Sequence, residues 1–480
     1  MSIDWPIQTL GDVCEKITDG AHNSPKSVTC GKHMASVKDL THFGVDLSQA
    51  RLIAIEEFDK LVKQGCRPEV GDVLIAKDGN SALDTVCTVD TPLDAVMLSS
   101  VAILRPDKLK LDFDFLKYYF CSKEVIDYLK GNFISGAAIP RVVLKDFRKA
   151  KIKLPPLVTQ RKIAQRLRLL DEKILLNRQT NQTLEQIAQA MFKSWFVDFD
   201  PVRAKIAANA AGENAQRAAM AAISGLSITP EQAQGLAAGA IADIDQLQQQ
   251  HPEQYQQLQA TADLFPDNLI DSELGEIPDG WVWSEIGNEV DVVGGGTPST
   301  KNADFWDGGD IFWTTPKDMS NLTDKILLET DRKITSAGLK KISSGLLPVN
   351  TVLMSSRAPV GYLAITKVPL AINQGYIAMK CEATLTPEYV VQWAESVMDE
   401  VKQRASGTTF AEISKKNFKI IAVIVPEDKV LAEFTSVVSS LYEKVTETLI
   451  ETKSLTAIRD TLLPRLLSGE LSIDTSETEF

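Results

Sequence analysis

The sequence predicts an α/β (α+β) fold with a two-fold pseudo-repeat, in which two globular domains are joined by two long antiparallel coiled-coil helices. Three observations predict this fold. Similar segments recur in both halves of the chain, short β-type runs alternate with helical segments in each half, and a heptad pattern ends each half. The length of 480 residues agrees with several globular units, since a domain typically has about 150 residues.

The repeat becomes visible when the second half of the chain is aligned with the first. Residues 5–11 (WPIQTLG) resemble residues 281–287 (WVWSEIG), and residues 70–75 resemble residues 349–354. Later matches share one constant offset, which pairs Ser135 with Ser406, Phe147 with Phe418 and Pro155 with Pro426. Each half is therefore predicted to be a copy of one module.

Each module begins with a segment typical of a compact α/β domain. Short runs of β-forming residues are separated by Gly, Pro and Asn, which favour turns. The clearest strands are expected at residues 72–76, 101–104, 351–354 and 376–379. One amphipathic helix is expected in each module, over residues 113–130 and 387–405.

Each module ends in a long helix that begins beside a proline, a residue that fits the first helical turn. Apolar residues recur at the a and d spacing of a heptad, and each seam has two polar interruptions at matching places. The first seam comprises Ile163, Leu167, Leu170, Ile174, Asn177, Asn181 and Leu184, and the second comprises Phe434, Val438, Leu441, Val445, Thr448, Thr452 and Leu455. Antiparallel pairing would bring the four polar residues together, where they can fix the register. The alternative is two unrelated amphipathic helices on separate cores.

These patterns divide the chain into five segments. They are a first domain at 1–153, a central long helix at 154–202, an Ala/Gln-rich acidic insertion and linker at 203–275, a second domain at 276–425, and a C-terminal long helix and tail at 426–480. The insertion is expected to form short surface helices, starting near Pro230 and Pro252, without a core of its own.

Charge is unevenly distributed along the chain. The net charge is −13, but residues 206–280 hold eleven acids and one base, whereas residues 151–205 hold eleven bases and five acids. The negative total therefore reflects mainly one segment. It does not exclude a locally basic surface that binds nucleic acid.

The sequence lacks the usual signatures of membrane, metal and catalytic proteins. No apolar run reaches the roughly 18 residues of a membrane span, and residues 1–20 lack the pattern of a signal peptide, so we expect the protein in the cytoplasm. The six cysteines form no CxxC and the four histidines no HExxH, so we expect no metal site. The triple glycine at 294–296 lacks the spacing of a phosphate-binding loop. The ExK at 451–453, a pattern found in nucleases, falls on the helix seam, and we expect no catalytic residues.

Polar loops with Lys, Arg, Asn and aromatic residues recur at matching places in both modules. Such side chains suit DNA, because Lys and Arg neutralise phosphates while Arg, Asn and Gln pair with base edges. In the first module the candidates for DNA contact are His22, Asn23, Lys26, Lys38, Lys77, Asn80, Arg141 and Lys145. In the second they are Thr297, Ser299, Lys301, Trp313, Thr314, Lys317, Ser355, Ser356, Arg357, Asn373, Gln374, Thr408, Thr409 and Lys415.

Taken in order, the motifs resemble those of the specificity (S) subunits of type I restriction-modification systems, over nearly the whole chain outside residues 206–262. The motifs are LPPL at 154–157, FKSWFVDFDP at 192–201, LGEIPDGW at 274–281, NQGY at 373–376 and LLPRLLSGEL at 462–471. The resemblance implies two target-recognition domains, each reading half of a bipartite asymmetric DNA site. It also implies that the long helices act as a spacer and dock two methyltransferase subunits.

By the same resemblance, the chain itself is a non-catalytic specificity subunit without cofactors. Adenine N6 methylation with S-adenosylmethionine and cleavage driven by ATP and Mg are implied to belong to methyltransferase and restriction (translocase) partners. The outer faces of the long helices, including Arg161, Arg168 and Arg178, are expected to be available to such partners.

The two modules differ where they should contact DNA. The first has His22-Asn23-Ser24 in place of the glycine-rich loop, and residues 98–101 (LSSV) in place of residues 373–376 (NQGY). We therefore expect the two half-sites to differ in sequence. Two other classes remain open, namely a fused nuclease or methylase with a degenerate site and an assembly scaffold that no longer reads DNA.

Overall fold

The computed structural model describes residues 5–79, 82–135, 141–224, 244–320, 322–407 and 411–471. The chain forms two compact units. One consists of Met1–Arg178 with Leu449–Phe480, and the other consists of Gln179–Thr448. Among the helices in the described ranges, none is long and apolar enough to cross a bilayer.

The first module is built on two sheets. The strands of a four-stranded antiparallel sheet are, in order, Cys14–Asp19, Val101–Pro106, Val73–Ala76 and Val86–Thr88. A three-stranded sheet contains Arg51–Ile53, Lys32–Ala35 and Ala95–Met97, of which the last two are parallel. Short antiparallel pairs join Ile7–Thr9 to Lys151–Lys153, Leu40–Thr41 to Gly44–Val45, and Ile134–Ser135 to Arg141–Val142. The helices are Leu10–Val13, Val37–Asp39, Ile55–Lys63, Phe113–Cys121, Lys123–Phe133 and Leu144–Phe147.

The second module repeats these two sheets, with one additional strand in the larger one. Its five-stranded sheet has the order Asp291–Val293, Tyr376–Lys380, Val352–Ser355, Leu363–Thr366 and Ile326–Leu327. Its three-stranded sheet contains Arg332–Ile334, Ile311–Thr314 and Leu370–Ile372, again with the last two parallel. Short pairs join Val282–Glu285 to Ala422–Val425 and Leu269–Ile270 to Ile277–Pro278. The helices are Ile286–Glu289, Ala303–Phe305, Pro316–Met319, Ser336–Leu339, Pro387–Ser396, Met398–Arg404 and Lys415–Lys419.

The alternation of side chains along the central strands explains why those strands read as continuous apolar runs. In Val73–Ala76, Val73 and Ile75 enter the core under the helices. Leu74, between them, enters a second core on the opposite face of the sheet. Successive side chains of a strand point to opposite faces, and here both faces are covered.

The two long helices are Leu157–Phe196, with 40 residues, and Asp428–Ser468, with 41 residues. In the first unit, Ile163 and Leu167 share a core with Leu463 and Leu466. In the second unit, the Phe434 ring lies 5.0 Å from the Phe196 ring. The helices are thus antiparallel within each unit, and the alternative of two separate cores is wrong.

The polar seam residues pair as the antiparallel arrangement requires. The Asn177 amide nitrogen lies 3.3 Å from the Thr452 hydroxyl and 2.8 Å from the Glu451 carboxylate. In the second unit, the Thr448 hydroxyl donates to the Asn181 side-chain oxygen. The buried seam residues are Ile163, Leu167, Ile174, Asn177, Asn181, Phe434, Val438, Val445 and Thr448, and the half-buried ones are Leu170, Leu184, Leu441, Thr452 and Leu455.

The prediction of one amphipathic helix in each module was wrong. The single helix expected in each module is two helices, because Ser122 leaves the helical conformation with ψ 125° and residue 397 turns with ψ 12°. Serine at this place is favoured as the cap of the following helix, while the apolar period continues through the break and conceals it.

The insertion was also expected to lack a core. Its helices Asp200–Ala211, Ala215–Ser224 and Pro252–Asp263, with helical residues 244–250, enclose a small cluster of Ala219, Met220, Ile244 and Ala262. The expected helix start near Pro230 lies outside the described residues.

Candidate nucleic-acid interface

Hydrogen bonds join the polar loops of the second module into one surface. The backbone N–H of Gly296 donates to the Ile372 carbonyl at 2.9 Å, and that of Asn373 donates to the Thr314 carbonyl at 3.1 Å. The Thr297 hydroxyl donates to the Gln374 side-chain oxygen at 2.7 Å. Segments that are distant in the sequence therefore meet at the ends of their strands.

The loop at residues 406–416 joins the same surface through residues 355–357, at the end of strand Val352–Ser355. The N–H of Ser356 donates to the Gly375 carbonyl at 2.8 Å, and the Ser356 carbonyl accepts from the Ile413 N–H at 3.1 Å. The five polar segments of the second module, at residues 294–301, 313–317, 355–357, 373–374 and 406–416, are thus connected through described residues.

The first module has the same backbone network. Four hydrogen bonds join a backbone N–H to a backbone carbonyl. The donor and acceptor residues are Ala21 and Met97 at 2.7 Å, Leu98 and Ala35 at 2.8 Å, Lys77 and Ser100 at 2.8 Å, and Val142 and Lys77 at 3.0 Å. These four bonds correspond one by one to those of Gly296, Asn373, Ser356 and Ile413. The repeat therefore preserves the backbone of the surface, while most side chains on it differ.

One glycine in each module allows this close packing. A Cβ atom on Gly20 would lie 2.1 Å from the Met97 carbonyl oxygen, and one on Gly295 would lie 2.0 Å from the Ile372 carbonyl oxygen. Side chains cannot occupy that space, so both positions require glycine. The glycine-rich sequence at 294–296 has a structural reason here.

The structure separates the predicted DNA-contacting residues into three groups. Twelve side chains are exposed on the loops, namely His22, Asn23, Lys26, Lys38, Arg141, Lys145, Thr297, Ser299, Lys301, Lys317, Gln374 and Lys415, while Arg357 and Asn373 are half-buried. Five are buried, namely Lys77, Trp313, Thr314, Ser355 and Ser356. Asn80, Thr408 and Thr409 lie outside the described residues.

The buried candidates support the surface from below. Lys77 makes an ion pair with Asp19 at 2.8 Å. The Thr314 hydroxyl lies 3.0 Å from the Tyr376 hydroxyl, and the Ser355 hydroxyl donates to the Pro359 carbonyl at 2.7 Å. A duplex could reach these groups only if the loops rearranged.

An ion pair with opposite polarity occupies the same place in each module. In the first, Arg141 Nε lies 3.1 Å from the Asp78 carboxylate. In the second, Arg357 Nη1 lies 3.5 Å from the Glu412 carboxylate. Both pairs lie on equivalent antiparallel backbone bridges, so the arginine comes from one loop in the first module and from the other loop in the second.

A stack of aromatic and cationic side chains, which the sequence reasoning missed, adjoins the glycine-rich loop of the second module. The Arg332 guanidinium carbon lies 3.7 Å from the Trp306 ring centroid and 5.3 Å from that of Trp313. The two indole rings are nearly perpendicular, with centroids 5.0 Å apart. The signal in the sequence was a pair of tryptophans in a segment rich in Asp and Gly, which alone suggests only a turn.

The sequence reasoning also missed a buried polar cluster between the first module and the long helices. The Asp171 carboxylate accepts hydrogen bonds from His42, Lys117, Tyr118 and Arg459 at 2.8, 3.1, 2.9 and 2.9 Å. Burial raises the pKa of Asp171, but the hydrogen bonds and positive charges of these partners outweigh burial and hold that pKa well below its ordinary value. We call this group the Asp171 cluster.

The second module combines neutral and charged groups at the equivalent place. Gln392 donates to the Glu185 carboxylate at 3.0 Å, and Glu185 forms an ion pair with Lys325 at 2.8 Å. Gln392 donates to the Tyr442 hydroxyl at 2.7 Å, and the Ser439 hydroxyl donates to the buried Glu388 carboxylate at 3.0 Å. The offset that pairs Phe147 with Phe418 also pairs Asp171 with Tyr442 and Arg168 with Ser439. Both junctions therefore contain charged groups, but the position of the buried Asp171 is occupied by the buried Tyr442 in the second module, where the carboxylates come from Glu185 and Glu388.

Arg168, which was expected to be available to partners, is 41% exposed but already forms ion pairs within the chain. Its guanidinium lies 3.0 Å from Asp114, 3.4 Å from Asp90 and 2.8 Å from Glu172. Arg178 lies over the Phe43 ring at 5.1 Å, whereas Arg161 is 62% exposed. In the described ranges, no group of three or more His, Cys, Asp or Glu side chains is arranged to hold a metal ion.

Comparisons with known proteins point to one family. A family model described as type I restriction modification DNA specificity domain matches residues 2–186 and 278–452, on either side of the insertion. The type I restriction enzyme HindI specificity subunit of Haemophilus influenzae is 34% identical over 98% of this chain and 100% of its own length. The MjaIX specificity subunit of Methanocaldococcus jannaschii is 33% identical over 35% of this chain and 39% of its own.

One solved structure has a comparable fold. The crystal structure of the type I restriction-modification system S subunit from M. genitalium covers 99% of this chain and 97% of its own, with a TM-score of 0.53 and 14% identity. At that identity the similarity shows the fold alone, which agrees with the two-module architecture described above.

Proposed function

Because the chain belongs to the type I restriction-modification DNA specificity family, we propose that its two loop surfaces each read one half of a bipartite, asymmetric DNA site. The chain is a specificity subunit and not an enzyme. The observation that carries the proposal is the shared backbone network, which presents different exposed side chains in the two modules. A repeated frame with different side chains is suited to reading two different half-sites.

The exposed and half-buried loop residues are the proposed contacts. Lys317 and Lys415 would neutralise phosphates, while Arg357, Asn373 and Gln374 would pair with base edges. The five buried candidates would hold these loops in place. We keep Asn80, Thr408 and Thr409 as proposed contacts on the sequence alone.

We propose the partners on the strength of the family. Methyltransferase subunits, two for each chain, would dock on the helices and modules, and restriction subunits would join that complex in the cytoplasm, where the DNA lies. The five segments divided at residues 153, 202, 275 and 425 remain our proposed domain organisation. The long helices, at about 1.5 Å per residue, would set the number of unread base pairs between the half-sites.

The test is to map methylated adenines in cells that express the chain with its methyltransferase. We expect one split, asymmetric sequence. The variants Lys317→Ala and Lys415→Ala should weaken binding to every sequence and lower the salt slope by about one unit per lost phosphate contact. The variants Arg357→Ala, Asn373→Ala and Gln374→Ala should relax one half-site, by about 1 to 3 kcal/mol for each bidentate contact removed.

The controls separate this function from its two alternatives. Arg161→Ala, an exposed arginine on the long helix, should leave the half-sites unchanged. Methylation without any preferred sequence would favour a scaffold, and methylation or cleavage by the isolated chain would favour an enzyme. If all five loop variants retain both affinity and selectivity, the proposed surface of the second module is wrongly placed.

A further inference from the structure

Two arginines occupy the same place in the repeat but make different contacts. Arg51 pairs with Met34 across the three-stranded sheet of the first module, and Arg332 pairs with Trp313 in the second. Both lie on the edge strand of their sheet. Met34 and Trp313 are themselves equivalent, because the offset between them is the one that also relates Lys77 to Ser356.

The Arg51 guanidinium is committed to its own module. Its Nη1 donates to the Pro25 carbonyl at 3.0 Å, and its Nη2 donates to the Ser24 hydroxyl at 2.7 Å and approaches the Met34 sulfur at 2.8 Å. The side chain is half-buried. Arg51 therefore fixes the His22–Lys26 loop and has little capacity left for a ligand.

Arg332 is exposed, and its guanidinium carbon lies over the face of the Trp306 ring, 3.7 Å from the centroid. Within the described part of the chain, its guanidinium N–H groups donate to no protein acceptor, and no carboxylate lies within ion-pair distance. Stacking uses the face of the guanidinium and leaves its N–H edge available for a planar or bidentate acceptor. Trp306 restricts the position of the guanidinium, because the guanidinium carbon lies only 3.7 Å from its ring centroid.

The supporting indoles are tied to the recognition surface. Trp306 Nε1 donates to the Ser299 carbonyl at 3.0 Å, and Trp313 Nε1 donates to the Gly296 carbonyl at 3.1 Å. The glycine-rich loop and the Arg332 guanidinium therefore have their positions set by the same two rings. A ligand of the loop would lie close to Arg332.

Two neighbouring lysines also contact aromatic rings, although Lys333 follows Arg332 directly on the strand and therefore points to the opposite face of the sheet. Lys333 Nζ lies 4.6 Å from the Phe312 ring centroid, and Lys341 Nζ lies 5.8 Å from that of Phe305. The two lysines add positive charge near Arg332, and positive charge favours contact with phosphates. Lys333 lies on the edge strand and Lys341 in the turn after helix Ser336–Leu339, beside the loops proposed to read bases, where phosphate contacts can position a protein on a duplex.

We propose that Arg332, stacked on Trp306, binds a backbone phosphate beside the half-site read by the second module, whereas Arg51 only supports its loop. This inference rests on the proposed function. It assigns different tasks to two equivalent arginines, and so it predicts different consequences of removing each one.

The experiment compares Arg332→Ala, Arg332→Gln, Arg332→Lys and Arg51→Ala in the complex with the methyltransferase. The probe is a labelled mixed-sequence duplex, with binding measured over a range of salt concentrations. A plot of log K against log salt has a negative slope, and Arg332→Ala and Arg332→Gln should both reduce the magnitude of that slope by about 0.9, the value for one phosphate. Arg332→Lys should retain the slope, and Arg51→Ala should leave it unchanged while relaxing the other half-site in the methylation map.

Two results would overturn the inference. One is an unchanged slope in both Arg332→Ala and Arg332→Gln while the wild-type complex still selects its site. The other is loss of a single base preference without a change in slope, which would make Arg332 a base-reading residue. A wild-type complex that selects no sequence would instead refute the proposed function.

Discussion

Replacing Asp171 with alanine should loosen the first module from the long helices without unfolding the second module. The Asp171 carboxylate is 4% exposed and accepts hydrogen bonds from four side chains of the Asp171 cluster. Two of the donors, Lys117 and Arg459, are cations, and Lys117 is itself only 8% exposed. The substitution leaves that lysine buried without its counter-ion.

The expected magnitude follows from burial rather than from the number of contacts. Four hydrogen bonds to a charged group at about 1.5 to 3 kcal/mol each would give an excessive total, because all of them share one carboxylate. Arg459 also retains Asp460, at 2.8 Å. Removing one partner of a buried ion pair typically costs about 3 to 5 kcal/mol, and we expect a loss in this range. Asp171→Asn should cost less, since the amide retains a hydrogen-bond acceptor.

Hydrogen exchange read by mass spectrometry can locate this effect. Since each 1.4 kcal/mol corresponds to about a factor of ten, amides of helix Phe113–Cys121 should exchange about a hundred to several thousand times faster in Asp171→Ala. Amides of Pro387–Ser396 in the second module should be unaffected. The matched control is Glu172→Ala, which removes the adjacent, 55% exposed acid and its pair with Arg168. Exposed pairs of this kind are worth about 0.3 to 0.5 kcal/mol.

Equal effects of the two substitutions would refute the role given to burial. Exchange that Asp171→Ala accelerates equally in both modules would refute it as well, because the cluster would then support the whole chain rather than one junction.

Three other perturbations test the cluster, the loops and the helices. The folded-state pKa of Asp171 is lowered, so its stabilisation is complete above the unfolded carboxyl pKa of about 3.9 and is lost as the pH falls below that value. The difference in unfolding free energy between wild type and Asp171→Asn, measured by urea unfolding, should therefore shrink below about pH 4. Arg357→Glu should relax one half-site in the methylation map, and Asp78→Arg should affect the other half-site. The double variant Arg357→Glu with Glu412→Arg should restore the protection of the loop in hydrogen exchange but not the selectivity for that half-site. Full recovery of selectivity would show that only the ion pair matters. Lengthening both long helices by one turn should widen the unread spacer without changing the bases read, and an unchanged spacer would contradict the proposed role of the helices.

The long helices and the repeat could be predicted from the sequence because both are periodic. A heptad seam and a constant offset between the two halves each depend on many positions, so one irregular residue does not obscure them. Even the meeting of the four polar seam residues followed from antiparallel geometry, since the polar interruptions occur at matching places. The break at Ser122 could not be predicted, because the apolar period is the same on both sides of it.

The Asp171 cluster could not be predicted because its members are far apart in the sequence and individually ordinary. His42, Lys117 and Arg459 approach Asp171 only after the module has packed on both helices. From the sequence alone, an aspartate at a helix position outside the heptad seam is expected to be exposed to solvent. Only the folded chain shows that it is buried and that three potentially cationic groups surround it.

The buried candidates on the loop surface show a related limit of prediction from the sequence, which concerns the choice of DNA-contacting residues. A polar residue at the end of an apolar strand suits either a ligand or the loop backbone, and composition does not separate the two. Ser355 bonds to the Pro359 carbonyl, and Lys77 bonds to Asp19, which is part of its own module. Surface loops with defined turns use many of their polar groups internally.

The loop surface of each module contains both backbone hydrogen bonds and side-chain ion pairs. This division explains how the modules can differ in their side chains without losing their shape. The four equivalent backbone hydrogen bonds depend on no side chain, except that the glycine beside each loop must remain a glycine. Side chains above this frame are therefore free to change, and they have changed even in sign, as Asp78 with Arg141 and Arg357 with Glu412 demonstrate. If the arginine of each pair contacts DNA, it approaches from a different loop in each module, and the two half-sites cannot be read with the same geometry. An asymmetric site is the expected consequence of a symmetric backbone with reversed charges.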